Sequence, residues 1–324
     1  MLLHVTIFGI VVMTLAASTS AVAAESKPVI TKLGAIDCDM VETTPVVFNG
    51  KLYRFEYVRD NYKPNTTGKP YFRFVDVATG DTTPPFAEGF CLGSAYVEEG
   101  TVYVYGIKGW GTSSIAVFWS TDMKTWKTQT ALAVEGWGIY NTSVCKGSDG
   151  YVLAIELGEP PAEVGVRFTM RFASSKDLLN WTPTKPECVY SKDRYTACPA
   201  LRYLDGYYYM VYLEAYPGPE YAPHIVRSKD LITWTSSPFN PIMKHDDQDK
   251  RIANPKLTPE QRKRIQSAKN INNSDVDFCE FQGKTYIYYS WGDQQGNEFF
   301  AEARFDGSQA AFLKGFFPES PEPK

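Results

Sequence analysis

The stretch SSKDLLNW, residues 174–181, has two close copies elsewhere in the chain. WSTDMKTW (119–126) precedes it and VRSKDLITW (226–234) follows it, so the final tryptophans stand 55 and 53 residues apart. Each copy follows an alternating apolar–polar run, a pattern that predicts a strand entering a polar turn. A turn that repeats at a fixed interval is typical of a protein built from repeated structural units.

A second series of segments alternates with these tryptophan turns. Each consists of a strand, a tight turn that ends in glycine, and a strand rich in Tyr, Val and Ile; the glycines are Gly50, Gly100, Gly150, Gly206 and Gly283. Glycine supplies the positive φ that a hairpin turn needs. Five hairpins, three of them followed by a strand, a turn with Trp and another strand, predict five four-stranded units.

A repeat of about 50 residues with four strands is typical of a β-propeller. A β-sandwich would not repeat so regularly, and the repeats of a β-helix are far shorter. The sequence therefore predicts an all-β fold, a five-bladed β-propeller.

The interval from Gly206 to Gly283 is longer than the earlier ones. Within it, Thr258 precedes Pro259 and Gln261, which is the arrangement of a helix N-cap with a capping box. We therefore predict a short helical insertion between blades 4 and 5. The charged run DDQDK (246–250) is expected to be a solvated loop.

The first residues, 1–24, combine an apolar run with small residues at Ala21, Ala23 and Ala24. This pattern predicts a secretory signal peptide, with an uncleaved anchor as the alternative because the basic n-region is weak. Residues 25–324 would then form one propeller domain, secreted or periplasmic, with no membrane contact after cleavage. The net charge of −4 and the lack of a long basic run argue against nucleic acid as a partner.

The six cysteines stand in a chain predicted to be exported, where disulfides are permitted. Their spacing matches no zinc motif, and four of them fall in apolar strand-like stretches; these are Cys91, Cys145, Cys198 and Cys279. Buried thiols are favoured over a disulfide framework.

Propeller geometry predicts which end of the channel carries a site. If the first strand of each blade lines the channel, its start and the end of the second strand meet at one rim, while the tryptophan turns lie at the opposite rim. The turns are therefore expected to be structural, with Asp or Ser capping the turn backbone and Trp packing between blades. Polar and aromatic side chains at the first rim suit a carbohydrate; the substrate-binding candidates are Asn141, Asn273, Trp291, His224, Trp137 and Arg194.

The tryptophan turns SKDLLNW (175–181) and SKDLITW (228–234), together with the hairpin CPALRYLDGYYYMVYLE (198–214), resemble the five-bladed propeller glycoside hydrolases of family 43 and their relatives in families 32, 62 and 117. The resemblance covers essentially the whole mature chain. It implies a glycoside hydrolase that acts on plant or algal polysaccharides or oligosaccharides, so the partner is a carbohydrate substrate. No cofactor is required, although the resemblance allows a calcium or sodium ion in the channel.

The chain departs from this family at both catalytic positions. The family's aspartate before proline in blade 1 is Thr44 here, and its glutamate two residues before a proline is Ala197. Other acids at the same rim are the candidates for catalysis: Asp275, Glu42, Glu214 and Glu156.

Hydrolysis with inversion is the mechanism to test, with Asp275 or Glu42 activating water and Glu214 or Glu156 protonating the leaving oxygen. Two alternatives stay open. The first is a catalytically silent carbohydrate-binding propeller, suggested by the missing family acids. The second is phosphorolysis, which export disfavours. Two histidines in the mature chain exclude a three-histidine metal site, and no metal-ligating residues are assigned.

Overall fold

A computed structural model describes residues 27–218 and 220–318 of the protein. The predicted signal peptide lies outside the described residues, and its cleavage stays a prediction. In the part of the chain that the structure describes, no helix has both the length and the apolar character needed to cross a lipid bilayer.

Twenty strands build five consecutive blades. The chain begins with β1 (Thr31–Cys38), and blade 1 contains β2 (Thr43–Phe48), β3 (Lys51–Val58) and β4 (Tyr71–Asp76). Blade 2 contains β5 (Cys91–Glu98), β6 (Thr101–Ile107), β7 (Ser114–Ser120) and β8 (Lys127–Ala133). Blade 3 contains β9 (Gly138–Gly147), β10 (Gly150–Glu159), β11 (Thr169–Ser175), β12 (Thr182–Pro183) and β13 (Val189–Tyr190). Blade 4 contains β14 (Thr196–Leu204), β15 (Tyr207–Ala215), β16 (Tyr221–Ser228) and β17 (Trp234–Ser236), and blade 5 contains β18 (Asn272–Phe281), β19 (Lys284–Gly292) and β20 (Glu298–Phe305).

The first strands of the five blades line the central channel. They contact one another in a closed ring, in the order β2, β5, β9, β14, β18 and back to β2. Each is followed by the predicted hairpin, and at Asn49–Gly50 both turn residues have positive φ, 49° and 73°. That is the backbone of a turn that matches the twist of the paired strands. The predicted five-bladed all-β propeller is confirmed.

The ring is closed by a strand from the other end of the chain. β1 pairs antiparallel with β20, from Thr31 opposite Arg304 to Cys38 opposite Phe299. The outermost strand of blade 5 therefore comes from the N-terminal part of the protein. The sequence pattern predicts four strands per blade. It does not predict that the outermost strand of blade 5 is β1. In blade 1, isolated bridges at Thr82 and Phe86 take the place of a regular fourth strand.

The tryptophan turns are structural, as predicted. The Asp177 carboxylate accepts hydrogen bonds from the backbone N–H groups of Leu179 and Asn180, at 2.9 and 2.8 Å. Asp122 and Asp230 cap their own turns in the same way. The tryptophan rings pack on the preceding blade: Trp126 on Phe86, Trp181 on Tyr105 and Trp234 on Phe172.

The predicted insertion lies between β17 and β18. It consists of a 3-10 turn (Asp247–Lys250) and a helix (Pro259–Ser267) with the expected capping box of Thr258 and Gln261. The described chain has two other short helices, at Pro161–Val164 and Gln309–Gly315.

The expectation that the run 246–250 is solvated is wrong for Asp249, which is fully buried. Its carboxylate lies 2.8 Å from the Lys32 ammonium and accepts hydrogen bonds from Tyr289 and Asn273. The buried cation and the two donors offset the cost of removing this charge from water. Asp249 thereby ties the insertion to β1, β18 and β19.

All six cysteines are free thiols. Four of them are buried, Cys38, Cys91, Cys145 and Cys188, and Cys198 and Cys279 are partly exposed.

Candidate active site

A pocket at one end of the channel brings together residues from all five inner strands. Its lining comprises Glu42, Thr43 and Thr44 from blade 1, Gly93 and Ser94 from blade 2, Asn141 and Thr142 from blade 3, Cys198 and Pro199 from blade 4, and Asp275, Val276 and Asp277 from blade 5. At its base, Asp277 forms an ion pair with Arg202, which lines a second cavity at the opposite end of the channel. This ion pair joins the linings of the two cavities, and Thr44 contributes to both.

Three of the inner strands carry the same irregularity at the pocket. The pairing register shifts between Cys91 and Ser94 in β5, between Ala197 and Ala200 in β14, and between Ser274 and Asp277 in β18. In each bulge one residue has a left-handed backbone conformation: Leu92 at φ 49°, Cys198 at 51° and Asp275 at 52°. A bulge redirects a side chain that regular pairing would place elsewhere. Such conformations concentrate at functional sites.

Asp275 stands at the end of a chain of hydrogen bonds within blade 5. The Ser290 hydroxyl donates to Oδ2 of Asp275. The Oγ atoms of Ser274 and Ser290 are 2.9 Å apart, and the Gln294 amide donates to Ser274 at 3.3 Å. Because the single Ser290 proton goes to Asp275, Ser274 is the donor to Ser290. The chain therefore directs its donated hydrogen bonds toward the Asp275 carboxylate.

Glu42 is in a different environment, although it lines the same pocket. Burial raises the pKa of Glu42 to about 8, and the negative charge of Asp275 adds to this effect against the opposing charge of Arg59. Arg59 lies 3.6 Å from Oε2 of Glu42 and donates its closer hydrogen bond, at 2.6 Å, to Glu298. Oε2 of Glu42 is buried and has no hydrogen-bond partner among the described residues. Glu42 thus carries a proton at neutral pH, on a carboxyl whose Oε2 forms no hydrogen bond within the described residues.

Glu156 lies directly behind the pocket lining. Its Oε2 accepts hydrogen bonds from the Asn141 amide at 3.0 Å and from the Cys198 backbone N–H at 2.8 Å. Burial raises the pKa of Glu156 to about 7, and the charge of Asp275 raises it further, while these two hydrogen bonds lower it. Only 3% of the residue surface is exposed, which makes Glu156 less accessible than Glu42.

Cys198 occupies the centre of this group but is not a nucleophile. Burial, and then the charges of Asp275 and Glu156, raise the pKa of the Cys198 thiol well above its usual value. Because the thiolate is the reactive form, the neutral thiol here can only pack and form weak hydrogen bonds.

The pocket therefore gathers three of the four predicted catalytic acids. Asp275 influences both Glu42 and Glu156 electrostatically, although the three come from blades 5, 1 and 3. A buried site with one carboxylate charge beside two carboxyls of raised pKa can supply both an acid and a base at neutral pH.

Glu214, the fourth predicted acid, lies in a separate cluster at the interface of blades 3 and 4. It does not line the channel pocket. Oε2 of Glu214 accepts a hydrogen bond from the Tyr212 hydroxyl at 2.7 Å and lies 3.7 Å from Nδ1 of His224. Burial raises the pKa of Glu214, and it lowers the pKa of His224 to about 4, so the imidazole is neutral at pH 7.

Arg194, a predicted substrate-binding residue, borders this second cluster. Its positive charge lowers the pKa of both Glu214 and His224. The guanidinium is exposed and pairs with the neighbouring Asp193.

The remaining predicted substrate-binding residues have different surroundings. Asn141 lines the pocket. Asn273 is fully buried and donates to Asp249, and Trp291 is fully buried and stacks on Phe299 with 4.5 Å between ring centroids. Trp137 is 7% exposed and packs under the Arg171 guanidinium. A direct contact of Asn273, Trp291 or Trp137 with a substrate remains a prediction.

Sequence reasoning missed three residues that shape the pocket: Arg59, Ser290 and Cys198. Ser290 immediately precedes Trp291, a predicted substrate-binding residue. The strand-end position that pointed to Trp291 could therefore also have pointed to Ser290. Cys198 is predicted only as a buried thiol, because the bulge that turns it into the channel leaves no trace in the sequence pattern.

No group of three or more His, Cys, Asp or Glu side chains in the described residues is arranged to hold a metal ion. A calcium or sodium ion in the channel therefore stays a prediction of the resemblance alone.

Comparison with known proteins gives matches only at the level of structure. No protein-family model matches the sequence, and no curated protein matches it significantly. A solved structure described as a glycoside hydrolase has a TM-score of 0.63 at 14% identity, with 93% of this chain and 96% of the other covered. A thermostable family-43 glycoside hydrolase has a TM-score of 0.60 at 13% identity, with 84% and 90% covered.

An exo-1,5-α-L-arabinanase from a bovine ruminal metagenomic library has a TM-score of 0.52 at 12% identity, and 84% of this chain and 94% of the arabinanase are covered. At such low identity the similarity establishes the fold. The resemblance stated from the sequence is confirmed at that level: this chain has the propeller fold of the family 43 glycoside hydrolases.

Proposed function

We propose that this protein is an exported glycoside hydrolase that acts on plant or algal polysaccharides or their oligosaccharides. Its structural neighbours include a xylan β-1,4-xylosidase and an exo-1,5-α-L-arabinanase. The observation that carries the proposal is the convergence of Glu42, Glu156 and Asp275 at one end of the channel, with two of the three carboxyls at raised pKa. Fold alone would not support an activity.

The pocket supports a division of roles between two carboxyls. Glu42 donates its proton to the glycosidic oxygen as the bond from the anomeric carbon to that oxygen breaks. A water molecule attacks the anomeric carbon and transfers a proton to Asp275. Glu42 is preferred to Glu156 as the acid because it lines the pocket and its Oε2 has no hydrogen-bond partner among the described residues.

Glu156, Asn141 and Cys198 would support this pair. The Asn141 amide and the Cys198 N–H fix the orientation of the Glu156 carboxyl beside Asp275. Since two adjacent charged carboxylates would repel each other, burial and then the charge of Asp275 raise the pKa of Glu156.

The experiment is reducing-sugar release from arabinan, xylan, agar, carrageenan, ulvan and fructan by the mature chain. The Asp275→Asn and Glu42→Gln variants are measured beside it, and Glu280→Gln, at the opposite end of the channel, serves as the carboxylate control. Release by the wild type and the control, and loss in both pocket variants, supports the proposal. Equal release by the wild type and Asp275→Asn contradicts it.

One observation favours a second function. Thr44 and Ala197 replace the two carboxylates that the family resemblance would supply. A catalytically silent carbohydrate-binding propeller would retain the polar pocket without turnover. Binding of an oligosaccharide by calorimetry, with no release from any substrate, would favour this function over hydrolysis.

A further inference from the structure

Trp110 is highly exposed and contacts Tyr140, the residue before Asn141 of the pocket lining. It follows β6, the second strand of blade 2, and 64% of its surface is exposed. In the described part of the chain only three other large apolar side chains are exposed: Val29, Val166 and Ile232. The exposed face of the Trp110 indole is in contact with water. A ligand with an apolar face would cover it, and this burial of apolar surface is favourable.

The loop that carries Trp110 is shaped to hold the indole in one place. The flanking residues Gly109 and Gly111 have φ of 99° and 71°, conformations that favour glycine. A Cβ on Gly111 would lie 3.1 Å from the Tyr140 hydroxyl, so the backbone packs closely on that ring. The Trp110 ring meets Tyr140 edge to face, with 6.3 Å between centroids.

A single side chain connects Trp110 with Glu42. The Trp110 indole N–H lies beside the Tyr57 hydroxyl and favours the ionised form of that phenol, whose pKa is otherwise raised by burial and by Glu42. Thr43 pairs with Glu56 in the sheet, so the preceding Glu42 lies opposite Tyr57. Trp110 therefore stands on the side of the pocket that holds the proposed acid.

The general acid of a glycosidase protonates the oxygen of the leaving group, so the leaving group lies on the acid's side of the scissile bond. We propose that the exposed face of Trp110 binds the sugar residue of the leaving group by stacking on its C–H face. This inference rests on the proposed role of Glu42. It makes Trp110 a determinant of whether the leaving group is a sugar or a small alcohol.

The test compares Trp110→Ala and Trp110→Phe on two substrates of the same sugar: an oligosaccharide and its methyl glycoside. KM for the oligosaccharide should rise by up to about tenfold in Trp110→Ala and less in Trp110→Phe, which keeps an aromatic face. Values for the methyl glycoside should stay within about twofold, since a methyl leaving group has no face that could stack on the indole. Ile232→Ala, an exposed apolar residue in a tryptophan turn at the opposite rim, is the matched control.

An unchanged KM for the oligosaccharide, or an equal rise for both substrates, overturns the inference. Failure of the proposed hydrolase is distinguishable from failure of the subsite, because tryptophan fluorescence reports binding without turnover. If the wild type cleaves neither substrate, quenching by xylo- or arabino-oligosaccharides that disappears in Trp110→Phe still supports a sugar site at Trp110. Quenching that persists in Trp110→Phe, or no quenching in the wild type, overturns it.

Discussion

Two clusters of acidic side chains lie toward the same rim of this propeller, and they differ in where their members come from. In the channel, Glu42, Glu156 and Asp275 belong to three blades that are far apart in sequence. Between blades 3 and 4, Glu214 is surrounded by residues of its own hairpin: Tyr212 donates to it, and His224 lies opposite Tyr212 in the neighbouring strand.

The two clusters differ in whether the carboxyl oxygens have hydrogen-bond partners within the protein. Within one hairpin, neighbours two residues apart can partner each other, as the hydrogen bond between Tyr212 and Glu214 shows. In the channel, strands converge without pairing across the axis, and Oε2 of Glu42 has no hydrogen-bond partner in the described structure, with Arg59 at 3.6 Å. A carboxyl oxygen without a hydrogen bond can form one with a substrate. The channel cluster is therefore the stronger candidate for chemistry.

The largest loss of activity is expected from Asp275→Asn. The amide keeps the shape but cannot accept a proton from water, so turnover should fall by about 100-fold or more. Circular dichroism and the thermal midpoint should stay near the wild-type values. Unaltered turnover would remove Asp275 from the mechanism.

Glu42→Gln should cause a loss that depends on the leaving group. Turnover of an oligosaccharide should fall by about 100-fold because the departing sugar oxygen needs a proton. An aryl glycoside with an acidic leaving group should be affected by less than about tenfold, since that oxygen departs without one. If Glu156→Gln shows this selectivity and Glu42→Gln does not, Glu156 is the acid.

The pH profile provides a second test of Glu42. An acid whose pKa is raised to about 8 is protonated below that pH, so kcat/KM should fall as the pH rises through about 8. This alkaline limb should be absent in Glu42→Gln. A wild-type profile that stays flat well above that pH contradicts the assignment.

Ser290→Ala should produce a smaller effect on turnover. The Asp275 carboxylate loses the hydroxyl that donates a hydrogen bond to its Oδ2, so turnover should fall by about tenfold. Ser274→Ala is the matched control, because its hydroxyl contacts Ser290 and not the carboxylate. Equal losses of turnover in both variants would mean that packing, not the direct bond, is responsible.

The smallest effect is expected from Glu214→Gln. Its carboxyl is partnered by Tyr212 and lies outside the channel pocket, so turnover on any substrate should change by less than about threefold. A loss as large as that of Asp275→Asn would show that the blade 3–4 cluster performs the chemistry, and the comparison would be reversed.

The architecture was readable from the sequence because local patterns specify it. Glycine turns, alternating strands and the spacing of Trp126, Trp181 and Trp234 each reflect an interaction within one blade or between adjacent blades. The capping box at Thr258 likewise involves residues close together in sequence. The pairing of β1 with β20 has no local signature, which is why it was missed.

The site was predictable only in part, for the same reason. Strand ends pointed to Asp275, Glu42 and Glu156, since all inner strands begin at one rim. Whether such an acid reaches the channel or an interblade surface depends on which face of the strand it occupies. The strand pattern therefore groups Glu214 with the others, and only its contacts with Tyr212 and His224 separate it.

The pairing of β1 with β20 also determines when the ring can close during synthesis. Thr31 is among the first residues of the described chain to leave the ribosome, and its partner Arg304 among the last. Individual hairpins form from contacts within about 20 residues, whereas this pairing needs nearly the whole chain to have been translated. Until then β1 is an unpaired strand, open to any other exposed edge. Completion of blade 5 therefore waits until β20 has been synthesised.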